Sequence, residues 1–181
     1  MRIISGIHKS RRFEVPRSFK ARPTTDFAKE NIFNVVCNLI DLKDASSLDL
    51  FSGTGSIAFE LVSRGCGEVV AIEKDPAHYS FIRKIQAELK ADNMHAICKD
   101  VFRYIKSTAR TFDFIFADPP YTLRELPQLP ELVFSHKLLN PDGIFILEHS
   151  KEHDFSSSPH FLQHRFYGSV NFSLFRTTSL L

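Results

Sequence analysis

The sequence predicts an α/β fold built on a mainly parallel sheet. Short apolar runs, such as residues 68–72 and 112–117, alternate along the chain with stretches whose apolar residues recur at helical spacing. Such runs are typical of strands buried on both faces, and their alternation with helices is typical of parallel sheets. The last segment, residues 161–176, predicts a hairpin around Gly168 and Ser169, which adds an antiparallel strand to the sheet.

The elements follow in order from local signals. Buried strands are predicted at residues 48–50, 68–72, 94–98, 112–117 and 144–148. Helices are predicted at residues 26–40, 56–64, 76–89 and 126–133. Asp75 and Pro76 are typical of a helix start, and Gly65 is typical of a helix end. The Asn140–Pro141–Asp142–Gly143 sequence predicts a turn before the fifth strand.

Length and composition indicate one compact domain. The chain has 181 residues, of which 43% are apolar, enough for a full core. Its three cysteines form no Cys-x-x-Cys pair, which predicts reduced thiols and a cytoplasmic location. No stretch resembles a signal peptide or approaches the length of a membrane span, so we expect no membrane association.

The most informative stretch is Asp118–Pro119–Pro120–Tyr121, at the end of the fourth predicted strand. The prolines lack the amide that a strand needs, so the chain must leave the sheet there. The carboxyl ends of such strands are where α/β proteins bind ligands. A carboxylate, a backbone carbonyl and an aromatic face together suit a flat group that carries an amine. The alternative is an ordinary turn with a strand-end aspartate.

A glycine loop follows the first predicted strand. Gly53 and Gly55 let the backbone turn tightly and approach a ligand, and the helix behind them presents free amides. The second strand ends at Glu73, whose carboxylate can accept both hydroxyls of a ribose. After the third strand, Asp100 could accept an adenine amino group, and the Val101 amide could reach a ring nitrogen.

The sequence of this loop is compatible with two cofactors, a nicotinamide dinucleotide and a sulfonium nucleoside. Gly53-x-Gly55-x-x-Ala58 with Glu73 also fits the fingerprint of a nicotinamide dehydrogenase. Asp49 argues against that ligand, because an acid beside the loop repels a pyrophosphate but tolerates an amine or a sulfonium. No Tyr-x-x-x-Lys sequence occurs, so one common dehydrogenase apparatus is absent. S-adenosyl-L-methionine (SAM) is therefore the expected cofactor.

The charge of the chain is unevenly distributed. The N-terminal arm, residues 1–22, has seven basic residues and one acidic residue, a net charge of +6, whereas the whole chain carries +2. Basic side chains gain free energy by displacing the counterions of a nucleic acid, so this asymmetry favours an RNA substrate. The alternative is a solvated terminus. The apolar residues Ile3, Ile4, Phe13 and Val15 favour an ordered β-hairpin instead.

The glycine loop together with Asp118–Pro119–Pro120–Tyr121 resembles class I SAM-dependent amino methyltransferases. The opening Met1–Arg2–Ile3–Ile4–Ser5–Gly6 and the later Arg22–Pro23–Thr24–Thr25–Asp26 resemble one branch in particular. That branch is the RsmD family of bacterial methyltransferases, which act on the guanine N2 amino group of small-subunit (16S) rRNA. Residues 150–161 match no motif of the family, and the chain has no tryptophan for RNA contacts.

The resemblance implies a Rossmann-like sheet of seven strands with helices on both faces. The N-terminal β-hairpin extension, residues 1–22, would contact RNA, and residues 23–181 would form the methyltransferase domain. The implied catalytic residues are Asp118, Pro119, Pro120 and Tyr121. The implied cofactor-binding residues are Asp49, Phe51, Ser52, Gly53, Thr54, Gly55, Glu73, Lys74, Asp100, Val101 and Asp118. The implied RNA-binding residues are Arg2, Lys9, Arg11, Arg12, Arg22, Thr24 and Tyr121.

The expected partner is small-subunit rRNA or the assembled or assembling small ribosomal subunit. The expected protein is a monomer with no obligate protein partner. Two alternatives stay open beside the dehydrogenase: an adenine-N6 methyltransferase on DNA or RNA, and a non-catalytic RNA-binding or assembly factor. No metal site is expected, although His149 and His153, like His160 and His164, are spaced as ligands on one helix face would be. Pro159 and the serines before it argue against that helix.

Overall fold

A seven-stranded sheet forms the centre of the computed structural model, which describes residues 1–19 and 25–177. Its order is β3-β2-β1-β4-β5-β7-β6. The strands are β1 (Ser46–Leu50), β2 (Glu68–Glu73), β3 (Met94–Cys98), β4 (Phe112–Ala117), β5 (Leu139–His149), β6 (Phe161–Tyr167) and β7 (Val170–Arg176). The pairs from β3 to β5 are parallel, and β7 is antiparallel to both its neighbours. The predicted parallel sheet with a closing hairpin is confirmed.

Helices cover both faces of the sheet. They are α1 (Asp26–Leu39), α2 (Ser56–Ser63), α3 (Pro76–Leu89), α4 (Val101–Ser107) and α5 (Leu129–Ser135). One apolar core lies between the sheet and α1, α2 and α3, and a second lies between the sheet and α4 and α5. Alternate strand residues supply the two cores, as in Phe116 and Ile146 for the first and Ile115 and Phe145 for the second.

The strand order positions the site. From β1 the chain moves outward through β2 to β3, and then returns to place β4 on the other side of β1. The order therefore reverses between β1 and β4, and open α/β sheets bind their ligands at the carboxyl ends of the strands where such a reversal occurs. The glycine loop follows β1, and Asp118 follows β4.

The N-terminal arm differs from the predicted β-hairpin. Its two limbs share one antiparallel bridge, Arg2 with Arg12, and neither limb is a strand. The arm packs closely on α2 instead. Gly6 allows this close approach, because a side chain at this position would overlap the Ser63 carbonyl and because its φ of +80° favours glycine. Ile3 is buried in the first core, so residues 1–19 belong to the body of the protein. The predicted boundary between residues 22 and 23 lies outside the described residues.

Three further expectations need adjustment. The predicted turn at residues 140–143 lies within β5, as an irregularity where the pairing shifts between Phe112 and Phe114 and Asp142 has a φ of 60°. Helix α4 was not predicted, because its seven residues are too few to show a period. The predicted helix at residues 126–133 is a short 3-10 turn followed by α5.

Candidate active site

The glycine loop between β1 and α2 is a fixed turn. The Ser52 amide donates to the Ile72 carbonyl at 2.9 Å, and the Gly55 amide donates to the Ser52 carbonyl at 2.7 Å. Gly55 has a φ of +77°, and a Cβ atom there would lie 2.7 Å from the Phe59 ring. Glycine is therefore required at this position both by the backbone angle and by the space that Phe59 occupies. The loop brings Ser52, Gly53 and Thr54 to the carboxyl edge of the sheet, as predicted.

Glu73 fastens this loop to the end of β2. Its Oε2 accepts the Gly53 amide at 2.7 Å, and its Oε1 accepts the Asp75 amide at 2.8 Å. The residue is buried, so the carboxylate is held in one orientation by two backbone donors. Each carboxylate oxygen can accept a second hydrogen bond. The predicted role as a ribose acceptor therefore stays compatible with the structural role that the sequence did not reveal.

Asp49 lies deeper than the sequence suggested. It is 2% exposed, and its Oδ2 accepts the Ala58 amide of α2 at 3.2 Å. Burial raises the pKa of Asp49 to about 7, against opposing hydrogen bonds from Ser52 and the Ala58 amide. The charge of Glu73 raises the pKa further. Asp49 thus supports the glycine loop from below.

The remaining residues of the predicted cofactor site lie on the strand ends around the loop. Phe51 has a φ of 61° and packs edge-on against Phe102, with ring centroids 6.3 Å apart. Asp100 is half-buried and caps α4 by accepting the Arg103 amide at 3.1 Å. Val101 is buried as the first residue of α4, and Lys74 is exposed.

The Asp118–Pro119–Pro120–Tyr121 segment leaves the sheet at the end of β4. The Asp118 amide lies 3.5 Å from the Leu50 carbonyl, so the segment starts beside the glycine loop. Asp118 is half-buried and Pro119 is buried, whereas Pro120 and Tyr121 are exposed. The predicted change of direction after Ala117 is confirmed.

Glu148, near the end of β5, is a residue that sequence reasoning missed. It is 4% exposed, and its Oε1 accepts the Tyr121 hydroxyl at 3.0 Å. The signal that could have revealed it is the one that revealed Asp118, an acid that ends an apolar run in a parallel strand. Residue types alone gave no reason to join it to Tyr121.

Strand register aligns the acidic residues of the site. Asp49 pairs with Ala71 and Phe116, and Phe116 pairs with Ile146. In each strand, the residue two positions further along projects from the same face of the sheet. Glu73, Asp118 and Glu148 therefore form one row at the carboxyl edge, and Asp49 lies one step below it. This row concentrates acidic side chains at the carboxyl edge of the sheet.

The basic residues of the arm divide into two groups. Arg2 forms an ion pair with Asp26 at 2.9 Å, and Arg11 forms one with Glu88 at 2.8 Å. Lys9 and Arg12 are exposed. The other predicted RNA contacts, Arg22 and Thr24, lie outside the described residues.

The arm is tied to α2 by a buried polar network. Glu60 is fully buried and accepts the amides of Ile4 and Ser5 at 2.8 and 3.0 Å. Lys29 is 1% exposed and donates to the Arg2 carbonyl and to Ser56 Oγ, at 2.5 and 3.0 Å. Since Ser56 is the first residue after the glycine loop, the arm and the loop are held by the same helix.

Neither a metal-binding cluster nor a membrane-spanning helix occurs among the described residues. Within residues 1–19 and 25–177, no group of three or more His, Cys, Asp and Glu side chains is arranged to hold a metal ion. Over the same ranges, no helix has the length and apolar character needed to cross a membrane. His149 and His164 approach each other, but His149 Nε2 is engaged by Ser173 Oγ at 2.8 Å.

Known proteins share both sequence and fold with this chain. The relative named ribosomal RNA small subunit methyltransferase D in Buchnera aphidicola subsp. Baizongia pistaciae is 31% identical over 148 residues, covering 82% of this chain and 75% of the relative. The protein of that name in Escherichia coli K12 is 30% identical over 159 residues, covering 88% and 79%. A solved structure named "Putative methyltransferase yhhF from Escherichia coli" superposes with a TM-score of 0.86 at 26% identity, covering 98% of both chains.

The family comparison agrees with these relatives. Residues 1–176 match the family described as Conserved hypothetical protein 95. The match begins with the N-terminal arm and includes the glycine loop, the Asp118 segment and β7. The expected resemblance and the expected class I methyltransferase fold are confirmed. The chain therefore belongs to the Conserved hypothetical protein 95 family, the RsmD family of methyltransferases.

Proposed function

We propose that the protein transfers a methyl group from SAM to the exocyclic N2 amino group of a guanine in small-subunit rRNA. The observation that carries this proposal is the contact between the two parts of the site. The register pairs Leu50 with Ala117, so the glycine loop and the Asp118 segment leave the sheet side by side. A cofactor and a flat amine substrate held there would have their reacting atoms next to each other.

The residues at the carboxyl edge fit SAM better than a dinucleotide. The tight turn at Gly55 lets the loop backbone approach a ligand, and Glu73 is held in place for a ribose. Glu73 brings negative charge close to the loop, which suits an ammonium and a sulfonium and disfavours a pyrophosphate. Phe51, Asp100 and Val101 would line the adenine side. SAM supplies an activated methyl group on a sulfonium.

The Asp118 segment would orient the amine. The Asp118 carboxylate and the Pro119 carbonyl accept the two N2 protons, and Tyr121 stacks on the base. The amino lone pair is ordinarily delocalised into the ring, and holding both protons turns it towards the methyl carbon. Transfer would form the new N–C bond as the S–C bond of the methyl donor breaks, and the surplus proton would then leave through Asp118 or water. Most of the rate enhancement would come from orientation and electrostatics.

The substrate class rests on the relatives and on the arm. Two of the relatives are named ribosomal RNA small subunit methyltransferases. The exposed cations Lys9 and Arg12 lie on an arm that is fixed to the helix behind the glycine loop. The target base must leave its stack to reach the methyl group, which is easiest in a loop or an unpaired region. The substrate would be the small subunit or its rRNA, and the protein would act in the cytoplasm as a monomer.

Methyl transfer to small ribosomal subunits tests the proposal. Subunits that lack their native methylations are incubated with labelled SAM, and the nucleosides are then analysed and the labelled position mapped. We expect N2-methylguanosine with the wild-type protein and none with Asp118→Ala. Affinity for SAM should change by no more than a few fold in that variant, because Asp118 orients the substrate. A large loss of SAM binding would instead make Asp118 a cofactor ligand.

The same assay separates the alternatives. Label in N6-methyladenosine would keep the fold and move the function to an adenine methyltransferase. Absence of label on subunits, free rRNA and DNA, despite SAM binding, would favour a non-catalytic RNA-binding role. Binding of NADH would revive the dehydrogenase.

A further inference from the structure

Glu148 lies beside Asp118 at the carboxyl edge of the sheet. In the parallel pair of β4 and β5, Ala117 is opposite Leu147, so the next residues along the two chains are Asp118 and Glu148. Neighbouring strands are about 4.8 Å apart, and residues at one level project from one face. Two carboxylates are thus presented on neighbouring strands at the same edge of the sheet.

The contact of Glu148 with Tyr121 shows that its carboxylate accepts a donor from the site. Glu148 is 4% exposed, and it is hydrogen-bonded to the motif tyrosine, which is 43% exposed. The Tyr121 hydroxyl donates to Glu148 Oε1 at 3.0 Å. When Tyr121 stacks on a base, its hydroxyl leaves this oxygen, and a donor on the base can take its place.

Guanine and adenine differ in the hydrogen-bonding group beside their exocyclic amino group. Guanine has the N1–H donor directly beside its N2 amino group, so a row of donors faces the enzyme. Adenine has an N1 lone pair beside its N6 amino group. Enzymes that extrude a base read it through hydrogen bonds to this Watson–Crick edge. We infer that Glu148 is a specificity-determining residue, which accepts the N1–H of the target guanine while Asp118 accepts from the adjacent amino group.

This inference rests on the proposed function. It explains how the site would select guanine over adenine, which the Asp118 segment alone does not do. A carboxylate facing a lone pair is repelled by it and is left without its hydrogen bond, which is costly at a buried position. Sites built to hydrogen-bond a substrate group reject analogues that lack the group by large factors. The two acids together therefore match the donor row of guanine and oppose adenine.

A base analogue isolates the proposed contact. 2-Aminopurine keeps the amino group at position 2 but has a lone pair at N1. Small subunits are reconstituted with rRNA that carries either guanosine or 2-aminopurine riboside at the nucleotide mapped in the assay above. We expect the wild-type protein to methylate guanosine faster by about 100-fold or more. In Glu148→Gln the ratio should fall to about tenfold or less, because the amide can donate to the N1 lone pair.

The Gln side chain is a close replacement. Its amide oxygen can still accept the Tyr121 hydroxyl, so the contact seen at Glu148 is preserved. Two further variants serve as controls. Tyr121→Phe removes only the hydroxyl, so it should keep the preference for guanosine even where the overall rate changes. Glu152→Gln removes an exposed charge four residues along and should leave the ratio unchanged.

The outcomes separate the inference from the function on which it rests. If Glu148→Gln slows both substrates equally and the ratio stays at the wild-type value, Glu148 only supports Tyr121 and the inference is wrong. The inference also fails if the wild-type protein methylates both bases at similar rates, although the proposed function then stands. Failure of the wild-type protein to methylate the guanosine subunits would overturn the proposed function itself.

Discussion

Asp49 provides a prediction of how the stability of the protein depends on pH. Its carboxyl is buried under the glycine loop, where the Ala58 amide donates to it at 3.2 Å. Burial raises the pKa of this group from 3.8 to about 7. The folded protein therefore holds a proton on Asp49 at pH values where the unfolded chain has lost it. Wild-type stability must fall as the pH rises through that window, and the loss is complete above about pH 7.

Asp49→Asn removes this dependence. The interval between the two pKa values, 3.8 and about 7, corresponds to at most about 4 kcal/mol, since one unit is worth about 1.4 kcal/mol. Relaxation of the site and entry of water reduce the cost of the buried charge. We therefore expect the free energy of unfolding of the variant, relative to wild type, to increase by about 2 kcal/mol between pH 4 and pH 8. Any fixed cost of the extra amide donor cancels in this difference.

Urea unfolding followed by circular dichroism measures the effect, because the chain has no tryptophan for fluorescence. Asp113→Asn is the matched control with the opposite sign. Burial alone would raise the pKa of Asp113, but hydrogen bonds from Asn140 and Ser46 hold it below its usual value. That variant should lose stability at pH 8 and approach wild type under acidic conditions. A free energy of unfolding of Asp49→Asn minus that of wild type that is constant with pH, or that is lower at pH 8 than at pH 4, would refute the reasoning.

Two further predictions concern the arm. Lys29→Met should lower the free energy of unfolding by about 3 kcal/mol in urea titrations. The buried Glu60 would lose the Lys29 cation, whose Nζ is 3.8 Å away, and keep Arg64 at 2.8 Å. An unchanged urea midpoint would show that Arg64 alone is enough to stabilise the Glu60 carboxylate. Lys9→Ala and Arg12→Ala, at exposed positions, should each weaken rRNA binding and reduce the salt slope by about one, with unfolding unchanged. Wild-type slopes in both variants would remove Lys9 and Arg12 from the RNA contacts.

The strands were predictable because burial on both faces of the sheet requires a short, continuous run of apolar residues. Strand β3 begins and ends where its apolar run does, and the hairpin of β6 and β7 turns at the predicted glycine. The start of α1 was also legible, since Thr25 caps it by accepting the Ala28 amide at 3.2 Å. In these cases local sequence and global fold agree, and local signals then suffice.

The long-range polar contacts were not predictable. The helical pattern of residues 56–64 does not single out Glu60, yet this residue is fully buried because the arm returns across α2 and supplies two amides. Glu148 joins Tyr121 only because β5 lies beside β4. Such pairings depend on strand order and on chain return, and neither leaves a period in the sequence. The role of Asp49 beneath the loop was hidden for the same reason.

Helix α2 connects the glycine loop, which would bind the cofactor, to the N-terminal arm, which would bind RNA. Its first turn is reached through the glycine loop, and its Glu60 and Ser63 bind the arm. All eight of its residues are buried, so the helix cannot shift to accommodate one partner without affecting the other. Deleting the arm would expose the Glu60 carboxylate and the core around Ile3. Loss of activity after such a deletion would therefore report on stability, and only substitutions of exposed cations test whether the arm binds RNA.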